Sequence, residues 1–428
     1  MDYNALIDLG YQVQGQLWVD KVNKTYGTGH LCQWVSTFHP GGLPCQLEGT
    51  FHYGAFNAGM KMVFRDGTAW MVRFPRVGNV KALGLIREGT SIPVPKVQAW
   101  GPAARNPLGL GPFIIMDFID GVSLSDVLKD PNAKRPMRLM REDISDDNIE
   151  AIYKQFANFL LQLFKLDFDR IGSLPSPSAE AESPRLIRPL TFKAHTILRM
   201  EELTLLGFAT TTEYFQYVVG QDWEQLVHQP NSISLIPNLV NANYDRGKFK
   251  LICDDLGLAN LIVRSREDLT IVGVVDLEWS YIGPAQLFGS APWWLLQDRP
   301  VNSVWDCDND EPPKVAERYF RYLEIFKRVL EEEEAKMPGH EEKELSSLVK
   351  WSQDSGAMWL HMLLSAGFND QCSFPFTQLR QHLGAAEWAR QGKVRELDEY
   401  DRALEKREEY KALVDSEKMT REDFIAMF

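Results

Sequence analysis

The sequence predicts an α+β fold of two lobes, a small mainly β lobe followed by a larger, mainly helical one. Three observations carry this. The 428 residues exceed what a single compact core usually organises, which favours two units with a cleft between them. Residues from about 50 to 118 alternate short apolar runs with turn residues. From Gly121 onward the apolar positions recur at helical spacing instead.

Residues 1–44 read as an N-terminal extension and 45–120 as the β lobe. Within it, the apolar runs 60–64 and 69–74 flank Arg65-Asp66-Gly67-Thr68, and an Asp-Gly pair between alternating runs predicts a hairpin. The run 112–118 is apolar enough for a buried strand. The helical lobe spans 121–390. Ser145 followed by Asp146 and Asp147 predicts a capped helix start, and Ile149, Ile152, Tyr153, Phe156, Phe159, Leu160 and Leu163 form its core stripe. Further helices are expected over 212–227, 313–330, 341–366 and 377–389, with short strands at 249–253, 261–264 and 270–275. From 391 to 428 charges of both signs are dense, with Asp398 four residues before Arg402, so an exposed terminal helix is expected. Such pairs add about 0.2–0.5 kcal/mol each.

Composition narrows the function classes. A formal charge of −13 with no basic stripe argues against nucleic acid as a partner and favours a cationic small molecule over an anionic one. Cys32, Cys45, Cys253, Cys307 and Cys372 are scattered, without a CxxC pair, which points to a reducing compartment. The start carries Asp2 and Asp8 and lacks a signal-peptide pattern, and no apolar run reaches the ~18 residues of a membrane span. A cytoplasmic protein without membrane attachment is expected; the oligomeric state is left open.

The segment 250–276 carries the chemistry. Asp255 and Asn260 stand five apart, and Asp276 closes the apolar run Ile271-Val272-Gly273-Val274-Val275. Metal-assisted phosphoryl transfer from ATP needs a carboxylate that orients the attacking group, with an amide oxygen and a second carboxylate to hold Mg²⁺ against the phosphates. With a free-Asp pKa of about 3.9, Asp255 suits the role of orienting acceptor better than that of strong base.

A β-rich first lobe, a linking strand, a helical second lobe and a DxxxxN loop followed by a strand ending in Asp resemble the aminoglycoside phosphotransferase family of protein-kinase-like enzymes, particularly its fungal branch. The resemblance covers roughly 50–390 and includes Thr90-Ser91-Ile92-Pro93-Val94-Pro95-Lys96-Val97, the stretch 114–121 and Phe168-Asp169-Arg170-Ile171-Gly172-Ser173-Leu174. It implies a two-lobed protein-kinase-like fold and a phosphotransferase that uses ATP and Mg²⁺ on a small-molecule hydroxyl. Asp255 would be the catalytic residue, and Asn260 and Asp276 the metal ligands. Arg73 would grip phosphate, a role that suits a guanidinium's paired donors. Gly54 and Phe56 would belong to the turn over the phosphates, and Asp117 and Ile119, with Phe118 between them, to the hinge that meets adenine. Trp293, Trp294, Trp305, Asp306 and Asp308 fall where the family builds its acceptor side.

Two departures from the pattern qualify the resemblance. Cys253 stands where the family usually has His, two residues before the catalytic Asp. Only sixteen residues separate Arg73 from Thr90, so the helix whose Glu normally pairs with the phosphate-gripping cation is very short or absent, and Glu88 is the one acid in that interval. The segment Ser232-Ile233-Ser234-Leu235-Ile236-Pro237 is similarly compressed. A pseudokinase, a nucleotide-binding or scaffolding module that retains the fold without catalysis, is the alternative. A protein kinase is disfavoured, since no DFG or APE signature is seen and Leu277-Glu278-Trp279 follows Asp276.

Overall fold

The structure, a computed structural model, describes residues 3–53, 57–75, 81–132, 139–172, 174, 207–225, 236–277, 280–290, 292–300, 303–305, 312–366 and 373–384. It has the expected α+β, two-lobed arrangement. Helices α1 (Tyr3–Gly27) and α2 (His30–Ser36) precede β1 (Cys45–Tyr53), β2 (Asn57–Phe64) and β3 (Ala69–Pro75). Helix α3 (Lys81–Gly89) leads to β4 (Val97–Gly101) and β5 (Phe113–Asp117), and the five strands form one antiparallel sheet in the order β1-β2-β3-β5-β4. The expected hairpin is β2–β3. Its turn closes through Thr68 N–H to Asp66 Oδ1 at 2.9 Å, with Gly67 at φ 86°, a left-handed conformation that glycine adopts without steric cost.

Alternate residues on each strand face opposite ways, and both faces are used. Phe113 and Ile115 pack with Val22, Leu31, Trp34 and Val35 of α1 and α2, so part of the stretch 1–44 belongs to the core of the β lobe. Ile114 and Met116 face the other side, where Ala82, Leu83 and Ile86 of α3 join the core of the second lobe. The helix between the cation strand and residue 90 is therefore present, but it has nine residues.

Beyond Asp117 the chain enters the helical lobe through β6 (Val122–Ser123) and α4 (Leu124–Leu128). Gly121 is required there, because a Cβ would lie 2.5 Å from the Val263 carbonyl oxygen. Helix α5 (Asp146–Phe164) starts where the sequence places it, with Ser145 accepting from the Asn148 N–H. After β7 (Asp167–Phe168), α6 (Thr211–Gln225) and α7 (Ile236–Leu239) come β8 (Phe249–Cys253), β9 (Leu261–Val263), β10 (Ile271–Val274) and β11 (Ser280–Gly283). They form two three-stranded antiparallel sheets, β10-β9-β6 and β11-β8-β7. Helix α8 (Lys314–Glu334) packs along α5. The helix expected over 341–366 is two, α9 (Glu344–Asp354) and α10 (Ala357–Ala366), divided at Gly356, whose φ of 76° breaks the helical path. Helix α11 (Phe374–Leu383) ends the described part, and the charged tail 391–428 lies outside it. Among the described residues no helix is long and apolar enough to cross a membrane.

Candidate active site

The DxxxxN loop links β8 to β9 and is closed by its own side chains. Asn260 Nδ2 donates to the Asp255 carbonyl at 2.8 Å and lies 3.4 Å from Asp255 Oδ2. With the amide nitrogen committed to the loop, Oδ1 is turned the other way, as a metal-ligating oxygen must be. The Val275 N–H then donates to the Asn260 carbonyl at 2.9 Å, one residue beyond the register pair Val274–Leu261. This backbone link seats Asp276 beside Asn260. Asp276 has φ 61°, a left-handed conformation that Asp tolerates better than most residues. Strain of this kind costs of order 1–3 kcal/mol and clusters at functional sites.

Arg73 reaches this cluster from β3. Its Nη2 lies 2.9 Å from Asp276 Oδ1, and the residue is only 7% exposed. Arg73 and Asp276 thus face each other across the cleft. Among the described residues of α3 the buried positions are apolar, and its one acid, Glu88, falls on the exposed last turn. Nine residues leave too little helix to carry an acid inward.

Asp255 has a partner that the sequence did not reveal. Arg299 Nη2 donates to its Oδ1 at 2.8 Å, and the guanidinium carbon sits 4.1 Å above the Trp293 ring. Trp293 in turn covers Gly257 of the loop, where a Cβ would come within 2.6 Å of the ring. No spacing rule connects Arg299 to a residue 44 positions earlier; the only signal was a cation shortly after a tryptophan pair. Cys253 is paired with Ser280 across β8–β11, and burial pushes its thiol up to about 11, against the opposing effect of its hydrogen bond with Ser280. It is a neutral, packed residue at neutral pH.

At the hinge, Asp117 donates its N–H to the Lys96 carbonyl and Phe118 its own to Ala69, at 2.9 and 3.0 Å. The next donor along the chain is the Ile119 N–H. The Asp117 carboxylate is engaged by Gln98 at 2.5 Å, and the Ile119 side chain lies against Gly273 of the strand that leads to Asp276. Trp294 and Trp305 are core residues, stacked edge-on with Phe156 and Tyr319 respectively, whereas Trp293 stands by the loop. Gly54, Phe56, Asp306 and Asp308 lie outside the described residues. Asp255, Asn260, Asp276 and Arg73 are brought together as one connected set.

No protein-family model matches the chain, and no curated protein does. Solved structures of similar architecture exist. A thermostable mutant of the aminoglycoside phosphotransferase APH(4)-Ia, in a ternary complex with ADP and hygromycin B, is 13% identical with a TM-score of 0.44, covering 82% of this chain and 95% of its own. A protein from Ralstonia eutropha assigned as an aminoglycoside phosphotransferase gives 14% and 0.45, with 82% and 96% covered. The amicoumacin kinase hAmiN, in complex with AMP-PNP, Ca²⁺ and Ami, gives 14% and 0.37, with 87% and 88% covered. At such identities the roles of residues follow from this chain's own geometry.

Proposed function

We propose that the chain is an ATP- and Mg²⁺-dependent phosphotransferase of the aminoglycoside phosphotransferase type, acting in the cytoplasm on a hydroxyl of a small molecule. The observation that carries this reading is the connected set Asp255, Asn260, Asp276 and Arg73, which supplies an acceptor-orienting carboxylate, two oxygen ligands and a phosphate-binding cation at one cleft.

The donors fit Mg²⁺. They are a carboxylate and an amide oxygen, both hard. Among the described residues no cluster of three or more His, Cys, Asp or Glu could enclose a metal by itself. Mg²⁺ is usually held by one or two protein oxygens together with substrate phosphates and water. Asn260 and Asp276 would hold it, and the bound ion would neutralise charge on the transferring phosphoryl group.

The residues divide the remaining work. Arg73, buried on β3, offers its guanidinium to phosphate oxygens, and the Arg73–Asp276 pair holds each of the two groups at the cleft until nucleotide arrives. Asp255 accepts the hydrogen bond of the attacking hydroxyl. Arg299 fixes the Asp255 carboxylate from one side, while Asn260 fixes the backbone beneath it. The Ile119 backbone is positioned to meet the adenine edge, with Asp117 on the strand that leads to it.

The test is turnover. Purified protein with Mg²⁺-ATP should show slow hydrolysis, or transfer to a hydroxyl acceptor, that Asp255→Asn and Asp276→Asn abolish while the fold persists. Full activity in either variant would refute the assignment. Tight Mg²⁺-ATP binding without any turnover would instead favour a nucleotide-binding module, the reading that Cys253 and the nine-residue α3 support.

A further inference from the structure

The formal charge of −13 does not extend into the pocket beside Asp255. Asp254 and Leu256 of its lining flank that carboxylate in sequence, Arg299 donates to it, and Trp293 carries Arg299 and covers Gly257. The pocket is therefore continuous with the place where a hydroxyl meets Asp255. We propose that the acceptor is an uncharged, largely hydrocarbon ring compound that presents a hydroxyl to Asp255, not the cationic molecule that the overall charge favours. This names the substrate class of the site described above and rests on its phosphotransferase reading.

The walls away from the loop are apolar. Leu163 of α5, Ile252 of β8, Phe288, Phe326 of α8 and Met362 of α10 supply them, and the Tyr214 and Tyr281 rings stand 6.3 Å apart beside them. The pocket is half open, so these walls select by polarity and not by length. A hydrocarbon body gains by leaving water against such walls, whereas a polyol or polyamine would carry donors there that lose water without finding a partner.

Charge points the same way. Asp254 is the one acid among the described lining residues, and the one cation, Arg299, is committed to Asp255. Each ammonium group of a polycation needs its own anionic partner when it leaves water. The other titratable groups of the wall are neutral near pH 7. Burial pushes the Cys253 thiol up to about 11, raises the Tyr214 and Tyr281 phenols and lowers His361 to about 3.

One neutral donor faces this apolar interior. Gln286 Oε1 accepts from the Asn241 N–H at 3.0 Å, which identifies its Nε2 as the donor to the Leu239 carbonyl at 3.1 Å and to His361 Nε2 at 2.8 Å. The proton of neutral His361 therefore sits on Nδ1 and is donated to Ser290 Oγ at 2.8 Å. The Ser290 hydroxyl keeps its own hydrogen for an ether or carbonyl oxygen of the acceptor. In the transfer, the acceptor's hydroxyl oxygen bonds the γ-phosphorus as the bond to the β–γ bridging oxygen breaks. ADP leaves with that electron pair, and the hydroxyl proton passes by way of Asp255 to solvent.

2-(2-Naphthyloxy)ethanol tests the proposal, since it has the rings, an ether oxygen and a primary hydroxyl. Kanamycin, a polycation rich in hydroxyls, is its counterpart. In calorimetric titrations of the full chain with Mg²⁺ and AMP-PNP, the naphthyl alcohol should bind roughly tenfold more tightly or better. With Mg²⁺-ATP, mass spectrometry should show its phosphate monoester forming faster than that of kanamycin. Leu160→Glu, which puts a carboxylate on the wall from a partly buried position in α5, should weaken the alcohol roughly tenfold and narrow the gap to kanamycin. Ser290→Ala should weaken the alcohol several-fold while leaving 3-(2-naphthyl)propan-1-ol, which has a methylene in place of the ether oxygen, unchanged. No binding of the alcohol, kanamycin preferred or equal, or indifference to both variants would overturn the acceptor class and leave the phosphotransferase reading standing. Binding of the alcohol without any ATP turnover would overturn that reading, and the acceptor role with it.

Discussion

The two sides of the cleft are held by different forces. On the helical-lobe side, Asp255, Asn260 and Asp276 lie within 22 residues of sequence and are locked by a side-chain-to-backbone bond and a strand ladder. On the β-lobe side, Arg73 is 203 positions from Asp276 and meets it through an ion pair. Local backbone bonds give a geometry that persists without ligand. An ion pair across a cleft gives one that ligand charges can rearrange. The difference teaches that the Asp255–Asn260–Asp276 side is preorganised, whereas the position of Arg73 depends on what occupies the cleft.

The largest expected effect breaks the link between the sides. Asp276→Asn keeps the left-handed backbone but removes the charge facing buried Arg73; chemical and thermal denaturation should show a loss of about 2–3 kcal/mol, somewhat less than for a fully buried pair. Turnover should fall at least a thousandfold. A double-mutant cycle with Arg73→Met should recover about 1–3 kcal/mol of coupling; none would mean that the two groups do not support each other.

Next comes the interior of the helical-lobe side. Burial pushes the folded Cys253 thiol up to about 11, above its ordinary value of 9.0, so the folded state holds this proton more tightly. Its contribution is complete below pH 9 and is lost as pH rises toward 11. The stability difference between wild type and Cys253→Ala should narrow by roughly 2–3 kcal/mol over that window in denaturant titrations. His361 acts at the other end. Its folded pKa is depressed to about 3, so its contribution is present above pH 6.5 and falls away as pH drops toward 3.

Smaller effects sharpen the comparison. Asn260→Ala opens the loop without touching Arg73 and should cost about 1–2 kcal/mol of stability by equilibrium unfolding. Arg299→Ala removes a half-exposed pair worth about 0.5–1 kcal/mol, and should leave the melting point within a few degrees while lowering turnover about tenfold.

What the sequence disclosed follows the same division. The hairpin β2–β3, the capped start of α5 and the DxxxxN loop were legible because each is encoded within a few residues: Asp66-Gly67, Ser145-Asp146 and Asp255-Asn260. Strand β1 was not, since its register shifts between Glu48 and His52 and Gly49 has φ 81°, which disrupts simple alternation. The break at Gly356 was hidden by continuous helical periodicity on both sides. The contacts of Arg299 with Asp255 and of Arg73 with Asp276 have no local signature for a deeper reason. Each contact joins elements that only the assembled fold brings together, and no local pattern encodes it.

The central claim is that Asp276 is a metal ligand which, with Arg73, forms a Mg²⁺-nucleotide site. Calorimetric titration of ATP into wild type and Asp276→Asn, each with Mg²⁺ and with EDTA, tests it most directly. Wild type should bind at least tenfold more tightly with Mg²⁺ than without, and Asp276→Asn should lose that Mg²⁺ dependence. Equal affinities in all four titrations, or no binding to folded wild type, would contradict the account.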